Sequence, residues 1–132
     1  MGPVSEAAPA RWFTSRFIAN EPAAVNRVTR MLTGCDPEGY AGCADAIADM
    51  DLRPALGAVR APTLVISGSA DQAAPPWHGA VTARGIPGSR LVVIRGAPHL
   101  ANYETPGPVT DAIARHLLPG IEGRPHPPVP GT

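Results

Sequence analysis

Apolar residues recur at helical spacing from about residue 11 to residue 50 and in consecutive runs afterwards, and the pattern changes near Asp51. Asn20 followed by Pro22 reads as a helix start, with Val25, Val28, Met31 and Leu32 on one face and Gly34 as the stop. Asp36-Pro37 repeats the start signal. Tyr40, Cys43, Ala44 and Ile47 then line one face of a second helix running to about Met50, whose acidic side carries Asp45 and Asp49 as a solvated surface. Ahead of both, Trp12, Phe13 and Phe17 gather half of the six aromatic residues into one or two turns, a surface that has to be covered. Beyond Asp51, Thr63-Leu64-Val65-Ile66 and Arg90-Leu91-Val92-Val93-Ile94-Arg95 are apolar at consecutive positions, as in strands covered on both faces. Trp77, Ala80, Val81 and Arg84 predict a helix between them. Thr105-Pro106 opens a last helix with Val109, Ile113, His116 and Leu117 inward and Pro119-Gly120 as its stop. The order strand, helix, strand, helix predicts an α/β fold with parallel strands.

Two strands are few. An average sheet has about 5 or 6, and a lone pair is marginal in water. The partner strands are therefore expected either in a second copy of this chain, giving a homo-oligomer, or in an N-terminal half of a larger sheet. Residues 1–10 carry two prolines and no apolar periodicity and read as a flexible lead-in, with 11–118 as the ordered region. Residues 119–132, with five prolines and three glycines, read as a tail or linker.

Eleven basic residues balance eleven acidic ones, which removes any chain-wide electrostatic case for nucleic acid or anionic lipid as a partner. The apolar runs fall far short of the roughly 18 residues that span a bilayer, so no membrane segment is expected. The first residues lack the basic and apolar regions of a secretion signal, and the cytoplasm is the expected compartment. Cys35 and Cys43 match no metal or redox spacing, and are expected to be reduced and partly buried.

The candidate chemistry sits just past the strands. Asp71 follows the first, in Ser67-Gly68-Ser69-Ala70-Asp71, and His99 follows the second, in Gly96-Ala97-Pro98-His99. Neighbouring parallel strands lie about 4.8 Å apart, so loops at their carboxyl ends can join a carboxylate to an imidazole. Such a pair fixes the imidazole tautomer and leaves the second ring nitrogen to accept a nucleophile's proton. Read singly, an Asp in a Gly-rich turn is a turn-former and a His is structural. His78, His116 and His126 read in that way, as do Ser67 and Ser69 in their turn. Arg53 and Arg95 read as surface ion-pairing groups, with capture of a substrate carboxylate as the alternative.

The stretches Ala61-Pro62-Thr63-Leu64-Val65-Ile66-Ser67-Gly68, Ile86-Pro87-Gly88-Ser89-Arg90-Leu91 and His99-Leu100-Ala101-Asn102-Tyr103-Glu104-Thr105-Pro106 resemble the C-terminal half of an α/β-hydrolase. Together with Arg11-Trp12-Phe13-Thr14 and Gly39-Tyr40-Ala41-Gly42-Cys43, they are similar to 3-oxoadipate enol-lactonases of aromatic-compound catabolism. The resemblance covers about residues 11–118 and implies the end of a helical cap followed by the last strands and helices of the sheet. It implies Asp71 as the triad acid and His99 as the general base, acting on a small ester or lactone with no cofactor. Trp12 and Phe13 would then line an apolar pocket or pack against the rest of the fold. Three departures stand out: Ala74 where threonine is usual, Pro98 before the histidine, and no Gly-x-Ser-x-Gly anywhere. The nucleophile and oxyanion donors are thus expected from an N-terminal half, without which this chain is inactive. Esterase, peptidase or dehalogenase specificity is the alternative within the family. Outside it, the alternative is a non-catalytic module that pairs through its open sheet edge.

Overall fold

The computed structural model describes residues 2–118. Four helices come first: α1 (Gly2–Trp12), α2 (Ser15–Asn20), α3 (Pro22–Thr33) and α4 (Pro37–Ala48). A 3-10 turn (Arg53–Ala58) leads into β1 (Leu64–Gly68), α5 (Pro76–Gly85), β2 (Arg90–Ile94), the single-turn α6 (Ala101–Glu104) and α7 (Pro106–Leu117). The strands pair in parallel in the register Leu64↔Arg90 through Gly68↔Ile94, which is the βαβ arrangement the pattern predicts.

Side chains alternate across the pleat, so the two faces have different companions. Ile66, Val92 and Ile94 pack with Val109 of α7 and with Ala97 and Ala101, and this is the core of the strand layer. On the opposite face α5 lies over β1, bringing Gly79 against Ser67 and Val65. It covers β2 less well: Leu91 and Val93 remain 37% and 45% exposed. Consecutive apolar positions thus overstate the covering of β2 among the described residues. No helix among them is long and apolar enough to cross a membrane.

The helical segment differs from expectation at its start. Residues 2–10 are not a loose lead-in but most of α1, with Ser5 and Ala8 buried. Pro3 sits in the first turn, where its missing N–H costs nothing, and the Ser5 hydroxyl donates to the Gly2 carbonyl oxygen at 2.9 Å. Pro9 is a true interior proline, tolerated because α1 packs against α3. The aromatic cluster does not form one continuous helix either: the chain breaks at Phe13, and Thr14 caps α2 by accepting from the Phe17 N–H. The cap of α3 is Glu21 and not Asn20, which ends α2. Asp36 does cap α4, accepting from the Gly39 N–H at 2.8 Å. That helix buries none of its residues, and both cysteines are exposed, contrary to the partial burial expected of them. The tail reading of 119–132, and His126 within it, lie outside the described residues.

Candidate active site

β1 and β2 end side by side, and their outgoing loops are stitched together before either reaches its functional side chain. The Ser69 N–H donates to the Ile94 carbonyl at 2.9 Å and the Ala70 N–H to the Ala97 carbonyl at 2.9 Å. The Ser69 hydroxyl oxygen accepts from the Gly96 N–H at 2.8 Å, which gives this serine the turn role expected of it. Two glycines make the approach feasible. Gly68 passes so close to the second loop that a Cβ there would stand 2.2 Å from the Ala97 carbonyl oxygen, and Gly96 turns at φ +72°. Ala97 and Pro98 are buried beneath the junction. The proline that departs from the family's pattern is thus a packed wedge holding the loop from below.

This arrangement brings Asp71 and His99 together: Oδ2 of Asp71 lies 2.9 Å from Nδ1 of His99. The other carboxylate oxygen, Oδ1, accepts the N–H groups of Ala73 and Ala74, each at 2.8 Å. The Asp71 side chain is only 8% exposed, whereas that of His99 is 36% exposed. Burial opposes ionisation of Asp71, but the Ala74 amide, the His99 imidazole and the Ala73 amide together outweigh it and hold the carboxyl below its usual value. An ionised carboxylate only accepts, so the ring proton in this contact belongs on Nδ1. Nε2 then carries the lone pair and has no protein hydrogen-bond partner among the described residues.

The other candidates lie elsewhere. Arg53 makes a two-point pair with Asp51, at 2.8 and 2.7 Å, with side chains 72% and 48% exposed. His116 is half-buried and donates from Nε2 to the Pro62 carbonyl at 3.2 Å, a structural role. His78 is exposed, its ring 3.7 Å from that of Trp77. Arg95 is exposed at the end of β2. Phe13 is buried, stacked on Phe17 at 5.2 Å with Tyr103 edge-on at 5.9 Å, so it packs against α6. Reading the sequence for reactive groups passed over Thr14 and Glu104: the Thr14 N–H and hydroxyl both donate to the Glu104 carboxylate, at 3.0 and 2.5 Å. The signal was present in the His-x-x-Asn-x-Glu-x-Pro string, whose glutamate lies one turn beyond the histidine.

The parallel strand pair, its flanking helices and the loops at its carboxyl end match the C-terminal part of the α/β-hydrolase fold in solved structures at 33–35% identity. The chain is 35% identical over 111 residues to 3-oxoadipate enol-lactonase 2 of Acinetobacter baylyi, an alignment that takes in 84% of this chain and 41% of that protein. The crystal structure of the enol-lactonase from Burkholderia xenovorans LB400 superposes with a TM-score of 0.85 at 35% identity, covering 89% of this chain and 45% of that one. A thermophilic esterase from Thermogutta terrifontis gives 0.80 at 35% identity, over 88% and 43%. The chain thus spans less than half the length of the relatives it matches. No protein-family model matches it.

Proposed function

We propose that these residues supply the acid and the base of a serine-type carboxylic ester hydrolase acting on a small lactone or ester, with an enol-lactone as the best-supported substrate. The observation that carries the reading is the 2.9 Å contact of Asp71 with His99 Nδ1, made by a carboxylate whose second oxygen is already saturated. The substrate class rests on the enol-lactonases among the relatives. A serine contributed by sequence outside these 132 residues attacks the lactone carbonyl while His99 Nε2 takes its proton. Asp71 holds the ring and stabilises the imidazolium that forms. Collapse of the tetrahedral intermediate breaks the ring C–O bond, and His99 returns the proton to the departing enol oxygen. Water, deprotonated by His99 in the same way, attacks the acyl carbonyl, and collapse of the second intermediate breaks the bond to the serine oxygen, which takes the proton back from His99. These steps call for no cofactor.

The 132-residue chain alone is therefore inactive. Hydrolysis of an enol-lactone and of a simple aryl ester is measured with the purified chain, and again after co-expression with the N-terminal half of an enol-lactonase. The expected result is turnover only in the second case, lowered about 10⁴-fold or more by His99→Ala. Turnover by the chain alone that disappears in His99→Ala would overturn the assignment of the nucleophile to another segment.

A further inference from the structure

We propose that Glu104 is a positioning residue for His99: its carboxylate clamps the His99 loop to the α1–α2 junction and so keeps Nδ1 on Asp71. The proposal rests on the reading of Asp71 and His99 as the acid–base pair.

The loop that carries His99 is anchored differently on its two sides. On the N-terminal side, Ala97 and Pro98 are buried and the Ala97 carbonyl is held by the Ala70 N–H. On the C-terminal side, the Leu100 N–H donates to the Trp12 carbonyl at 3.0 Å, and one turn later Glu104 takes both donors of Thr14. Among the described residues, these three are the hydrogen bonds that join the segment 2–50 to the segment 51–118. All three fall within five residues of His99. Thr14 is suited to the task because it is also the cap of α2: its hydroxyl oxygen accepts from the Phe17 N–H while its proton goes to Glu104. Next to Thr14 in the chain, Phe13 is buried, stacked on Phe17 and edge-on to Tyr103, the neighbour of Glu104, so apolar packing joins the same two segments. A hydrogen bond to a charged acceptor is stronger than one between neutral groups, and here two converge on one carboxylate. With an exposed imidazole depending on a single contact for its orientation, freedom at residues 100–104 passes directly into the Nδ1 to Oδ2 distance.

The test reads the His99 tautomer in the full chain, independently of hydrolysis. Two-bond ¹H–¹⁵N spectra of the labelled chain at pH 8, assigned with His99→Gln, are expected to show His99 as the Nδ1–H tautomer. Glu104→Ala is expected to convert that signature to a mixture with the Nε2–H form, with Glu104→Gln intermediate and Thr14→Ser unchanged. A folded Glu104→Ala chain with the wild-type signature overturns the positioning role, whatever its melting temperature. Should Glu104→Ala fail to fold, Thr14→Ala carries the same test: a smaller shift in the same direction supports the clamp, and no shift overturns it. Asp71→Ala separates the two readings. If it too leaves the Nδ1–H signature intact, the acid–base pair itself fails; if only the Glu104 and Thr14 variants do, the clamp fails alone.

Discussion

Among the described residues two carboxyl groups, Asp51 and Asp71, are held below their ordinary value, and only one of them belongs to the candidate site. Asp51 is drawn down to about 2, first by its side-chain hydrogen bond with Arg53, yet both groups stand in solvent, where such a pair contributes little. Asp71 is lowered against the opposing effect of burial, by donors from two different loops. Because its pKa is lower folded than unfolded, its contribution to stability is present above the ordinary value of 3.8 and is lost as pH falls through the lower folded value. Urea midpoints measured from pH 7 down to pH 2.5 should therefore differ between wild type and Asp71→Asn by a constant amount at neutral pH, and the difference should narrow below 3.8. Gly68 is the second residue whose identity the site dictates. Gly68→Ala puts a methyl 2.2 Å from the Ala97 carbonyl and 2.6 Å from that of Pro98, both backbone atoms that cannot step aside. A loss of about 1–3 kcal/mol in equilibrium unfolding is expected, together with displacement of the His99 loop.

At the scale of elements, the strands, α5, α7 and the stop at Gly34 were legible because local chemistry decided them: consecutive β-branched runs, proline in the first turn, glycine after the last. Asp71 and His99 were legible as a pair for the same reason, since parallel strands fix where their loops emerge. What was not legible depended on distant partners. Pro3 and Pro9 suggested a loose start, and only the packing of α1 on α3 makes that stretch helical. The Thr14–Glu104 clamp spans ninety positions, a separation at which no periodicity links two polar residues. α4 is the opposite case, well specified by its Asp36-Pro37 start yet with no buried residue to hold it. Helices without a packed face open first. Hydrogen exchange should find its amides unprotected while those of β1 and β2 exchange slowly. Asp36→Ala should lower helicity by circular dichroism, at a cost of about 1 kcal/mol to that helix alone.

On both sides of the strand layer the described residues leave large apolar side chains exposed. Leu91 and Val93 form an exposed patch on β2, and on the other side of the strand layer Ile113 and Leu117 are 43% and 66% exposed along a groove beside Leu64 and Ile66. Two parallel strands also leave an outer edge on each side, with hydrogen-bonding groups free to pair with another chain. Each lone exposed leucine is ordinary, but contiguous patches flanking an open edge favour association. On its own the chain should therefore self-associate, with a sedimentation coefficient that rises with concentration over the micromolar range. A charge on the groove makes that contact costly, because an unpaired lysine cannot be buried there. Leu117→Lys with Ile113→Lys should return the chain to the monomer if the groove is the contact, and should leave Asp71 and His99, on loops at the other end of the strands, unaffected. Leu91→Lys with Val93→Lys tests the opposite face in the same way. Should neither pair of substitutions change the sedimentation behaviour, association runs through the outer edge of β1, and a proline at Leu64, the first residue of the strand, whose N–H faces away from β2, is the variant expected to abolish it.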